Sequence, residues 1–141
     1  MKTARIAFEP LLEDRTRRLI VDSLDNFNMT VTGVREYFPV NFVVCEQSGE
    51  ILGGVLGHVW GGWLQVTVLW VAEEIRGLGY GTQLMESAER YALSKGAVGA
   101  TLETHSFQAR PFYERLGYEV FSTLEGYPLG HAKHCLKKTL L

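Results

Sequence analysis

The chain has 141 residues, 46% of them hydrophobic and 21% charged, with a net charge of −2. That is the balance of one globular domain, residues 1–141, with a full core, and the lack of a basic excess argues against a nucleic-acid partner. No run approaches the ~20 apolar residues a membrane span needs and no apolar signal core opens the chain, so a cytoplasmic protein without a membrane partner is expected.

Residues 4–8 read as a short first strand, ended by Pro10. Residues 11–29 read as a helix, because Leu12, Leu19, Ile20, Leu24 and Phe27 recur at helical spacing. Glu13 with Arg17, and Asp14 with Arg18, form i,i+4 pairs on its opposite face. Gly33 and Pro39 bracket an irregular link. Residues 40–46, apolar and β-branched, read as a strand, and Gln47 to Glu50 as a turn. Cys45 and Cys135 lie far apart without metal-ligand spacing, so each is expected to be a buried thiol.

Two further strands, 51–60 and 63–71, are joined by Gly61-Gly62. Two glycines between such runs predict a two-residue hairpin, since both can take positive φ. Trp60 then faces Trp63, His58 faces Gln65 and Leu56 faces Thr67. One face would carry Val55, Val59, Leu64, Val66, Val68 and Trp70, and reads as core. The other would carry Leu56, His58, Trp60, Trp63, Gln65, Thr67 and Leu69. Its mixed aromatic and polar character suits a ligand-facing surface, which makes Trp60, Trp63 and His58 candidate acceptor-binding residues. The two tryptophans also read as a stabilising cross-strand pair.

The next segment is Arg76-Gly77-Leu78-Gly79-Tyr80-Gly81-Thr82. Alternating glycines let peptide N–H groups approach a ligand, and the next helix adds unpaired N–H groups and the positive end of its dipole. Strand, glycine turn and helix N-terminus make an anion site for phosphate or pyrophosphate. A P-loop would need Lys-Ser/Thr after the last glycine, where Thr82-Gln83 stands. The dinucleotide fingerprint needs glycine at position 82, although Glu103 sits about where that fold places its ribose ligand.

Residues 82–95 read as the second helix, with Leu84, Met85, Ala88, Tyr91, Ala92 and Leu93 inward and Glu86 paired with Arg90 outside. Residues 98–104 read as a strand, giving a parallel crossover. A short helix over 108–116, a strand over 118–124, a loop over 126–130 and a strand over 132–140 complete the chain. His131 and His134 gather no ligand set, so no metal is expected.

The pattern Arg76, Gly79, Gly81 is Arg-x-x-Gly-x-Gly, which resembles the pyrophosphate loop of the GNAT superfamily of N-acetyltransferases. Ala109 to Tyr118, a short helix with a central tyrosine ending at Gly117-Tyr118, resembles that superfamily's second motif. Both stand in the expected order. The resemblance implies an α/β (α+β) fold: a mixed, mostly antiparallel sheet of six to seven strands with a central parallel crossover, flanked by helices. It implies acetyl-CoA as donor, with Arg76, Gly77, Leu78, Gly79, Tyr80, Gly81 and Thr82 at the pyrophosphate. Leu69, Trp70 and Val71, at the splayed end of the preceding strand, would pair with the peptide-like pantetheine arm. Phe112 and Tyr113 join the cofactor set, with Tyr113 in the family's general-acid position. Ser106 stands where many members have an asparagine that contacts the pantetheine arm. Tyr127-Pro128 and Gly130-His131 are similar to the tail of small bacterial members whose acceptors are mostly undefined.

Such an enzyme moves an acetyl group to a primary amine of a small molecule or peptide. An amine near pKa 10.4 must first lose a proton, and Glu103, His58 or His105 can take it directly or through water, Glu103 ranking first and His58 second. A homodimer is compatible with the chain. The reading from a different class is a non-catalytic acyl-CoA-binding or sensing domain, and the third is a nucleotide-binding module.

Overall fold

The computed structural model describes residues 2–141, in two units, Met1–Arg35 and Glu36–Leu141. The first unit holds one helix, α1 (Asp14–Thr32), closed by Gly33 at φ 72°. Gly33 donates its N–H to the Met29 carbonyl at 2.8 Å, the left-handed helix end that glycine favours. Helix α1 begins three residues later than the apolar pattern suggests and buries none of its residues. Residues 4–8 form no strand. Ile6 and Phe8 are exposed, and an alternating pattern makes a strand only where a ladder satisfies its backbone.

The second unit is a six-stranded sheet in the order β1-β2-β3-β4-β6-β5. The strands are β1 (Tyr37–Cys45), β2 (Ile51–Trp60), β3 (Trp63–Val71), β4 (Gly99–His105), β5 (Glu119–Glu125) and β6 (Ala132–Thr139). Only β3 and β4 run parallel. They are joined over one face by α2 (Tyr80–Ser94), and α3 (Arg110–Arg115) precedes β5. This is the mostly antiparallel α/β arrangement with one parallel crossover that the sequence implies. Pro39 lies inside β1, at the sheet's edge, where a residue without an N–H is tolerated.

The core lies between the sheet and α2. Leu64, Met85, Ala88, Ala92, Ala100 and Leu136 are fully buried there. Glu89 reaches in from the margin of the same helix. Its carboxylate accepts the Tyr118 hydroxyl at 2.8 Å and the Lys138 ammonium at 2.7 Å. Burial and the facing carboxylate push the Tyr118 phenol above its ordinary range. Glu89→Ala should lower stability by about 2–4 kcal/mol, read as a shifted urea midpoint at constant slope. Glu89→Gln keeps an acceptor for Tyr118 and should cost less.

Three details depart from the sequence pattern. The ion pairs among the described residues are Arg110–Glu114, Lys133–Glu103 and Lys138–Glu89. The pairs expected at Glu13–Arg17, Asp14–Arg18 and Glu86–Arg90 stay solvated, as pairs of little energetic worth readily do. Cys45, at the end of an edge strand, is exposed, and Cys135 is half-buried. The register of the β2–β3 hairpin is as expected from Trp60↔Trp63 to Gly57↔Val66, then shifts. Gly57 pairs with Val66 and Leu56 with Val68, so Thr67 is an extra residue on β3, a bulge. Its hydroxyl donates to the Leu56 carbonyl at 3.0 Å.

The bulge reverses the facing of the rest of β3. Val68 and Trp70, expected in the core, are exposed, while Leu69 and Val71 pack against it. On the other side of β3, pairing with β4 covers only Trp63–Val66 against Gly99–Leu102. Beyond that the two strands part, and the β4-facing backbone of residues 67–71 has no ladder partner.

Candidate active site

Two cavities open where β3 and β4 part. The first, of about 440 Å³, is lined by Leu69, Val71, Ile75, Arg76, Gly77, Gly79, Tyr80, Gly81, Thr82, Ala109, Phe112, Tyr113 and Arg115. The second, of about 400 Å³, is lined by Thr67, Val68, Leu69, Glu103, Thr104, His105, Gln108, Ala109 and Tyr113. Leu69, Ala109 and Tyr113 belong to both, so the cavities meet at Tyr113.

The first cavity is built on the glycine loop. Gly77 and Gly79 hold φ of 76° and 89°. Gly79 is the residue before the first turn of α2. The first hydrogen bond of the helix runs from the Gln83 N–H to the Gly79 carbonyl, which leaves the N–H groups of Tyr80, Gly81 and Thr82 without a helical partner. Gly81 serves packing: a Cβ there would lie 3.3 Å from the Phe112 ring. Arg76 reaches back, its Nε donating to the Val71 carbonyl at 2.8 Å. This pins the loop to the end of β3 and leaves the rest of the guanidinium at the cavity wall. Free N–H groups, two arginines and an apolar floor suit a ligand with an anionic end and a long neutral arm.

The second cavity holds the titratable groups. Tyr113 is 7% exposed and packs edge-on against Phe112 and Tyr118. Among the described residues its hydroxyl has no hydrogen-bond partner, and no fully buried side-chain polar atom is left unpaired, so this oxygen borders open space. Burial pushes the phenol above its ordinary pKa. Glu103 Oε2 lies 3.4 Å from Lys133 Nζ.

Not every expected site residue arrives here. Leu78 and Trp70 line neither cavity, and both are exposed. Ser106 turns to β6, its hydroxyl accepting the Ala132 N–H at 3.0 Å. His58 stacks on Tyr37 at 5.0 Å. Trp60 and Trp63 face each other at the hairpin tip, where β3 begins, whereas the cavities lie toward its far end. Trp63 is ~13 Å along the strand from Thr67. The ring of Trp63 sits over Gly99, where any Cβ would come within 2.7 Å of it. Trp60→Ala should therefore lower thermal stability by up to about 1 kcal/mol and leave both Michaelis constants unchanged. Arg115 and Gln108 were not anticipated. The signal for Arg115 was its i,i+3 spacing from Phe112 on one short helix.

Residues 7–118 match the model of the acetyltransferase (GNAT) family, and the chain belongs to that family. It is 42% identical over 97 residues to blasticidin-S acetyltransferase of Streptomyces morookaense, covering 68% of this chain and 71% of that protein. An acetyltransferase structure from Bacillus cereus superposes with a TM-score of 0.81 at 31% identity, over 94% of this chain and 97% of that one. A Bacillus anthracis structure assigned as a streptothricin acetyltransferase, solved with acetyl coenzyme A, shares the fold with a TM-score of 0.64 at 19% identity, over 72% of this chain and 62% of that one. The protein is an acetyl-CoA-dependent acetyltransferase.

Proposed function

We propose that the acceptor is a primary amine of a small molecule or peptide, bound in the cavity of Glu103 and His105. The observation that carries this reading is the shared wall at Tyr113. A donor cavity with anion-binding loops and an acceptor cavity with a carboxylate meet at one phenol. The similarity to a blasticidin-S acetyltransferase supports a small amine-bearing acceptor.

Acetyl-CoA supplies an acyl group activated as a thioester. The N–H groups of Tyr80, Gly81 and Thr82, with Arg76 and Arg115, hold its phosphate end, and the unpaired edge of residues 67–71 holds its amide arm by β-addition. An N–H of that edge can also hold the carbonyl oxygen as it gains charge. Glu103 draws in the ammonium. Its pair with Lys133 is partly exposed and hence weak, so a substrate cation can take the place of Lys133. Tyr113, kept protonated by burial, gives its proton to the departing sulfur.

The test is release of free thiol from acetyl-CoA with blasticidin S, polyamines, amino acids and short peptides as acceptors, the product identified by mass. Turnover with an N-acetylated product supports the reading. Tight acetyl-CoA binding with no turnover on any amine would favour a sensing domain instead.

A further inference from the structure

We propose that His105 removes the proton from the acceptor amine, and that the Tyr127 backbone carbonyl selects which ring nitrogen does so. The inference rests on the amine-acceptor reading above. His105 is the last residue of β4 and lines the same cavity as Tyr113. Its backbone is fixed by Gln108, whose Oε1 accepts the His105 N–H at 2.8 Å. Its Nδ1 lies 3.2 Å from the Tyr127 carbonyl oxygen. A carbonyl only accepts, so this contact places the hydrogen on Nδ1, and the neutral ring keeps its lone pair on Nε2.

The ring plane is fixed as well. Phe107 stacks on His105 at 5.4 Å and 8°, and Tyr127 at 5.7 Å and 3°. An imidazole with two near-parallel aromatic neighbours and one nitrogen tied to a backbone carbonyl has a preferred orientation before any substrate enters. The charged and titratable groups around it are Glu103 on its own strand, Lys133 on β6, Tyr113 on α3, and Tyr127 and His131 in the loop before β6. Lys133 lies over the Tyr127 ring at 4.7 Å and pairs with Glu103. His131 meets Phe107 edge-on and lines neither cavity. His134 is buried, with Nδ1 2.9 Å from the Thr123 hydroxyl. His105 is thus the histidine that borders the acceptor cavity, beside the Glu103 carboxylate that draws in the ammonium.

The step balances. The ammonium N–H bond breaks, its proton passing to Nε2 and its electron pair remaining on nitrogen. That pair forms the new C–N bond as the C–S bond breaks. The thiolate takes the Tyr113 proton, the phenolate recovers one from the second proton the nitrogen sheds, and His105 returns its own to water.

The experiment compares wild type with His105→Gln and His105→Phe, the second keeping a ring in the stack so that folding is preserved. kcat/KM is measured from pH 5.5 to 9 with blasticidin S, or the best amine of the panel above. ¹⁵N NMR of histidine-labelled protein reads the His105 tautomer. Both variants should lose roughly 10²–10⁴-fold in kcat/KM and the acid-side limb of the wild-type profile, with acetyl-CoA affinity unchanged. The wild-type spectrum should show hydrogen on Nδ1. An active wild type whose variants keep both rate and limb overturns the inference alone, as does hydrogen on Nε2. A wild type inactive on every amine overturns the amine reading and this inference with it.

Discussion

Tyr113→Phe should lower kcat by roughly 10²–10⁴-fold, the worth of a positioned proton donor, while acetyl-CoA affinity changes little. The substitution removes one oxygen and no packing. The ring remains between Phe112 and Tyr118, and the lost hydroxyl has no protein partner to strand. Burial raises the phenol's pKa, so the acid form persists across the neutral range and is lost only above pH 10, the ordinary phenol value. Any alkaline limb set by Tyr113 therefore lies beyond pH 10 and should be missing from the variant. A donor whose thiol leaves readily without protonation should narrow the gap between the two enzymes. Wild-type kcat in the variant, where chemistry limits the rate, would remove Tyr113 from the reaction.

The second large effect is on donor binding. Gly79→Val should bring acetyl-CoA binding below calorimetric detection in a protein that still folds. The position is open: only Gln83 Nε2 lies within 4 Å of an added Cβ, at 3.8 Å. The damage comes from φ 89°, which a β-branched residue resists at a cost of order 1–3 kcal/mol. Relief of that strain turns the N–H groups at the start of α2 away from the cavity. Arg76→Ala should weaken binding by about 1.5–3 kcal/mol, the range for a hydrogen bond to a charged group. Its bond to Val71 makes part of that loss a loosening of the loop. Unchanged affinity in both variants would overturn the assignment of this loop to acetyl-CoA.

Short-range physics made most of the fold legible. The Gly61-Gly62 turn placed both hairpin strands to the residue, and the glycine loop and most of the apolar stripe of α2 were read from spacing; Leu93, expected inward, is exposed at the last turn. Tyr113, singled out through a motif, and Glu103, singled out by its place at a strand end, both line the second cavity. What stayed hidden depends on pairings distant in sequence. The Thr67 bulge is set by how β2 meets β3, and alternation alone predicts the opposite facing for Val68, Leu69 and Trp70. The contacts that orient His105 need Tyr127, which lies 22 residues on. The hairpin tryptophans carry two readings in the sequence, because an aromatic pair at a strand tip looks the same whether it binds a ligand or seats itself over a glycine; the structure sets Trp63 over Gly99.

The extra residue at Thr67 has a consequence for how this chain can be improved. Deleting it would restore a regular ladder between β2 and β3 and leave Leu69 and Val71 facing inward. The strand would lose the local twist a bulge imparts, and β3 could then stay beside β4 past Val66. That sheet would be longer and better satisfied, and the opening that joins donor to acceptor would be gone. Selection for thermal stability alone would favour such a shortened chain, at the expense of turnover.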